Sequence, residues 1–248
     1  MQKRQGIVAE ADGSMTTSPI RLAGYGAVFG GIANLVADYL LRGGPAPVAS
    51  ADITLEALVH VPFASVFAGG ILGAAAIPLW LLGLWPVYRA LEPAGRRLAL
   101  AIVLLFGYGI AVAAGYHGSY ALYAGGYQAL AAVGPESKPI LVEMTARFLR
   151  YHDLLMLLVV VPWMVASVGF VVAVLFFRTH YARWLVVLSP LLVPLTIPLV
   201  QALPAPIGGY VRPIHGTAIW TLFFLVSTVV VGRLERRSAR PGAGSNAL

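Results

Sequence analysis

Long apolar stretches alternate with short polar ones along almost the whole chain, and each stretch is about the 20 residues a helix needs to cross a bilayer. They fall at 22–41, 63–85, 98–122, 152–177, 184–203 and 214–232. The pattern predicts an all-α fold, a polytopic membrane bundle of about six transmembrane helices. Residues 1–21 read as a cytosolic tail, 22–232 as the six-helix transmembrane domain, and 233–248 as a basic, disordered cytosolic tail. The first twenty residues carry Lys3, Arg4, Glu10 and Asp12 without an apolar core, so they read as a tail and not as a signal peptide. The longer connections, 42–62 and 124–151, lie on the outer side in this reading. In the second, Glu143 and Arg147 stand four apart with Arg150 beyond them and Ile140, Leu141, Met144 and Phe148 opposite. That spacing predicts an amphipathic surface helix, either covering a pocket or prolonging the fourth span.

Details inside the spans sharpen this picture. Pro190, Pro194 and Pro198 recur at steps of four in the fifth span. Each removes a backbone donor, so a bent helix leaning on its neighbours is expected there. Gly26 and Gly30 in the first span, and Gly69 and Gly73 in the second, have the spacing that lets helices approach closely. The five tryptophans, Trp80, Trp85, Trp163, Trp184 and Trp220, fall mostly towards predicted span ends, where interfacial aromatics are expected.

Composition agrees with a bilayer as solvent: 59% of the 248 residues are hydrophobic, 11% are charged, and mean hydropathy is +0.81. A soluble domain needs roughly twice that charge to cover its surface. The absence of cysteine excludes disulfides, thiolate nucleophiles, iron–sulfur clusters and Cys-ligated zinc. With the N-terminus inside, 12 of the 17 Lys and Arg residues lie on inner segments and 5 on outer ones. The positive-inside rule therefore predicts a multi-pass protein of the cell (cytoplasmic) membrane with cytoplasmic N- and C-termini. The formal charge of +7 reads as a topology signal and an anionic-lipid contact. Nucleic acid is not expected as a partner, because the basic residues are dispersed over short segments.

Acids and histidines concentrate on the opposite, outer side. Asp38 ends the first span, with Asn34 one turn below it; His117 lies in the third, His152 and Asp153 open the fourth, and His215 opens the sixth after Arg212. Glu56 and His60, four apart, precede the second span. Helical rise places these groups within roughly 8 Å of one boundary, where an outward-facing polar pocket forms. Asp38, His117, His215 and His152 are the candidate metal ligands, and Asn34, Glu56, His60, Asp153 and Arg212 the remaining pocket candidates. Imidazole and carboxylate suit zinc, whose bound water would attack an ester or amide. Two histidines at one depth would instead suit haem. A simpler arrangement pairs Asp38 with Arg212 and leaves the histidines hydrogen-bonded at the interface. No HxxxH, HExxH or paired-Glu motif chooses among these.

Asp38 at the end of the first span, Gly115-Tyr116-His117 in the third and the Gly208-Gly209 turn before the sixth resemble uncharacterised bacterial six-span membrane families, domains of unknown function. That resemblance implies fold and location only. The outer Asp and His set is also similar to the alkaline ceramidase and adiponectin receptor group of membrane hydrolases. This second resemblance implies zinc held by an Asp and three His. Those proteins have seven spans and an HxxxH in the last, whereas His215 here is followed four residues on by Ile219. Sequence alone thus predicts an integral membrane protein of unassigned activity whose polar pocket binds a small molecule or lipid. A zinc-dependent membrane hydrolase acting on a lipid-like substrate and a haem or quinone redox subunit are the alternatives, so whether it is an enzyme stays open.

Overall fold

The computed structural model describes residues 18–42, 59, 61–204 and 206–238. Among them the chain is helical with no strand: α1 (Pro19–Arg42), α2 (Phe63–Ala76), α3 (Trp80–Leu91), α4 (Arg96–Ala132), α5 (Lys138–Phe176), α6 (Leu192–Gln201) and α7 (Ile207–Ser238). A 3₁₀ turn at Ile77–Leu79 joins α2 to α3, so the two act as one long rod with a kink at Pro78, whose ring cannot donate to the ladder. Five rods, counting α2–α3 as one, are long and apolar enough to cross a membrane. Large apolar side chains such as Leu22, Phe29, Leu104, Phe176 and Leu199 point outward, a surface that suits hydrocarbon and not water.

Four hydrogen bonds fix which ends lie together. Ser18 Oγ donates to Glu235 Oε1 at 2.6 Å, and the His180 amide donates to the Ala90 carbonyl at 2.9 Å. The start of α1 and the ends of α3, α5 and α7 therefore share one end of the bundle. At the other end, Ser65 Oγ bonds the Leu40 carbonyl at 2.8 Å and Gln128 Nε2 bonds the Val61 carbonyl at 2.8 Å. Arg212 there donates to the carbonyls of Gln201 and Leu203, each at 2.7 Å. The segment 177–204 consequently runs the whole length of the bundle, although no single helix in it does.

That segment is where the structure departs most from a regular predicted span at 184–203. It breaks into a 3₁₀ helix at Arg183–Leu188, a turn at Ser189–Leu191 and the ten-residue α6. Pro190, Pro194 and Pro198 supply the reason, since none can donate a backbone bond. The hairpin α4–α5 departs in the other direction. The predicted outer loop 124–151 is almost all helix, and α5, at 39 residues, is about 58 Å long. Tyr120, Tyr123 and Ala124 pack with Leu41 and Val66, while Tyr127 and Phe148 extend the cluster upward. A Cβ on Gly126 would strike the Thr145 side chain, so glycine there lets the two helices stay in contact above the spans. Glu143 and Arg147 pair at 2.5 Å on the exposed side of α5, which prolongs the span as one of the two expected arrangements. Helix α7 likewise continues through Arg233–Ser238, where Glu235 meets Ser18; the predicted tail segments 1–17 and 239–248 lie outside the described residues.

Small residues set the helix spacing. A Cβ on Gly24 or Gly31 would strike Thr228 or Thr221 of α7, so α1 and α7 close on a seven-residue repeat. Gly26 and Gly30 serve α3 and its preceding turn instead, facing Leu82 and Leu79. Three tryptophans are core residues and not interfacial anchors. Trp220 stacks on Trp80 at 5.6 Å, meets the tilted Trp163 ring at 4.7 Å, and takes Phe106 edge-on at 5.2 Å. They stand mid-helix because the helices run past the predicted span ends; Trp85 and Trp184 alone are exposed.

Candidate functional site

Above the tryptophan layer the bundle changes character. One face of α1 presents Asn34, Asp38 and Arg42, each a turn above the last. Asp38 is only 4% exposed. An isolated carboxylate at such a depth costs about 2.5–3.5 kcal/mol on insertion scales, and its neighbours offset that cost. The Thr217 hydroxyl of α7 donates to Asp38 Oδ2 and accepts from Asn34 Nδ2 at 3.1 Å. From α4, His117 Nε2 stands 3.7 Å from Asp38 Oδ1. His117 reaches that position because α2 has glycine beside it: a Cβ on Gly73 would strike the His117 ring and come within 3.1 Å of Asn34 Oδ1. Two acceptors are left buried and unpartnered, His117 Nδ1 and Asn34 Oδ1.

Arg42 occupies the last turn of α1, where exposed carbonyls favour a cation. Its guanidinium sits 5.0 Å from the centre of the Tyr120 ring, a cation–π contact. Its Nε is buried without a hydrogen-bond partner. Beside it, Tyr116 and Tyr120 share a hydroxyl bond of 2.9 Å, and the Tyr116 ring stacks on His152 at 4.5 Å. His152 is anchored by Ser119 Oγ, 2.8 Å from its Nδ1.

These groups close one end of a cavity of about 430 Å³, within the range typical of small-molecule sites. Asp38, Arg42, Tyr116, His117, Thr217 and Arg212 line its polar end. Met156, Val159, Val160 and Met164 of α5, Val193, Pro194 and Ile197 of the broken segment, and Trp163 and Trp220 beneath supply the rest. Because α6 packs chiefly on α7, little contact closes the gap between α5 and α6. Val160 and Ile197, on either side of it, are 46% and 38% exposed.

The predicted site residues are thus partly gathered. Asp38, His117, His215 and Arg212 line one cavity, and Asn34 joins through Thr217. Arg212 does not pair with Asp38; its guanidinium binds the carbonyls of Val200, Gln201 and Leu203 at the end of α6. His215 Nε2 lies 3.4 Å from the Val193 carbonyl, and His152 belongs to the tyrosine cluster. Among the described residues no three His, Asp or Glu side chains stand close enough to hold a metal ion. Asp153 is exposed, one position along from buried His152 and so on another face of α5. Glu56 and His60 lie outside the described residues. Sequence reasoning passed over Arg42, Thr217, Tyr116 and Tyr120. Arg42 was within reach, since it stands four residues after Asp38 and therefore on its face.

An all-helical bundle with an apolar outer surface and, between its helices, a cavity that is apolar but for one polar end defines a membrane protein. The chain belongs to the family of unknown function DUF6796, whose model matches residues 15–232. No curated protein and no solved structure matches it.

Proposed function

We propose that this protein spans the cytoplasmic membrane six times with both termini in the cytoplasm, and that it binds a small amphipathic, lipid-like molecule in the cavity beneath Asp38 and Arg42. Two observations support the orientation: the 12-to-5 division of basic residues and the shared end of Ser18 and Glu235. The sixth crossing is the broken segment 177–204. Reporters fused at either end should both be cytosolic, and a periplasmic signal from one of them would overturn the topology.

Binding rests on the shape of the cavity. Its wall is apolar, its upper end holds buried polar groups with unused hydrogen-bonding capacity, and its side faces the lipid belt between α5 and α6. A ligand with a chain and a polar head satisfies both ends at once, and it would enter sideways without crossing water. Trp163 and Trp220 line the cavity and provide the readout. In a variant with Trp85 and Trp184 replaced by Phe, a bromine-labelled single-chain lipid should quench the remaining emission saturably, near one equivalent. Quenching that rises linearly with lipid, like that of an exposed belt residue, would sink the binding reading.

A further inference from the structure

Resting on that reading and narrowing it, we infer that the ligand is a single-chain anion whose carboxylate or phosphate head is held by Arg42. Arg42 forms no ion pair and no hydrogen bond among the described residues, and its Nε is buried. A guanidinium carries five donors in a fork that matches carboxylate and phosphate oxygens. The Tyr120 ring holds it from one side but accepts none of those bonds in its plane.

Asp38 does not meet this need. One of its oxygens is taken by Thr217 and the other faces His117. Among the described residues, the Arg, Lys, Asp and Glu side chains lining the cavity are Arg42, Arg212 and Asp38, two basic against one acidic. A ligand bearing one negative charge balances them, whereas a cationic head would add to the excess. Arg212 is spent on backbone carbonyls, which leaves Arg42 as the contact.

Size limits the tail. The cavity's volume, about 430 Å³, lies in the range of small-molecule sites and suits one chain with a compact head. The Met156, Val160 and Met164 wall is apolar and adaptable, as a chain without fixed shape requires.

The test uses the full chain in nanodiscs of neutral lipid, with the Trp85 and Trp184 substitutions and ω-bromododecanol as a neutral quenching probe. Laurate, dodecyl phosphate and dodecanol compete for the probe. The two anions should displace it at concentrations about tenfold or more below dodecanol, the ratio expected for one charge-assisted contact. Whichever of laurate and dodecyl phosphate competes better tells carboxylate from phosphate. Arg42→Gln should erase the preference while probe and dodecanol bind as before, which shows the cavity intact, and Arg42→Lys should restore part of it. Equal competition by all three in the wild type, or a preference that survives Arg42→Gln, would overturn the anion assignment and leave amphiphile binding standing. Absence of saturable probe quenching would remove both.

Discussion

The two halves of this bundle are built from different chemistry. Towards the shared end of Ser18 and Glu235, closure is by aromatic packing: Trp80, Phe106, Phe170, Trp220, Phe223 and Phe224 interlock, with neighbouring ring centres 5.1–6.1 Å apart. At the other end α1, α4 and α7 meet through Asp38, Asn34, Thr217 and His117, and a cavity remains beside them. Lipid supplies no hydrophobic drive between helices, so either dispersion or buried hydrogen bonds must hold them together. The aromatic half gains most by filling space. The polar half depends on direction, and groups that must point at one another leave room between them. A binding site belongs in the second half for that reason.

The largest effects should come from removing the centre of each half. Trp220→Ala opens a void among five rings and should cost about 3–5 kcal/mol. Asp38→Ala removes the charged acceptor of the Thr217 hydroxyl and the carboxylate facing His117, and should cost about 3 kcal/mol. Unfolding in mixed micelles measures both. If Asp38→Ala unfolds like wild type while Trp220→Ala does not, the polar half contributes no stability and the contrast between the halves fails.

Thr217→Val tests direction without removing charge. It keeps the volume and deletes both the bond to Asp38 and the acceptor for Asn34, so a loss of about 1.5–3 kcal/mol is expected. A neutral result would mean that Asp38 is held by charge alone. The same melts read this variant, with Thr217→Ser as the rescue.

The smallest effect belongs to Glu143→Gln, which breaks an ion pair of the same chemistry on the exposed side of α5. Solvent screening limits that pair to about 0.5 kcal/mol or less. A loss as large as that of Thr217→Val would show that the upper α4–α5 hairpin is not solvated as its exposure implies.

Much of the site was legible in advance because helical spacing is local. Asn34 and Asp38 lie one turn apart, and their shared face follows from the sequence. His117 and His215 come to line one cavity. Arg42 was legible by that rule too, but counting it only as an outer basic residue hid its position above Asp38. Thr217 was not legible, since only the antiparallel register of α1 and α7 selects it over Thr221 or Thr228. The partners of His152 were hidden as well, because Ser119 and Tyr116 reach it from another helix, α4.

By itself the sequence determined the class of fold, the fault line at Pro190, Pro194 and Pro198, and the face that Asn34 and Asp38 share. These depend on hydropathy, on helical period and on a missing backbone donor, all of which are properties of neighbours in the chain. Tertiary structure alone decided that three of the five tryptophans are core, that Arg212 serves the backbone of the broken segment, and that Arg42 stands beside a cavity without an ion pair among the described residues. Those outcomes depend on which helices touch and at what register. Glycines such as Gly73, placed where a second helix must pass, settle that only once the bundle has closed.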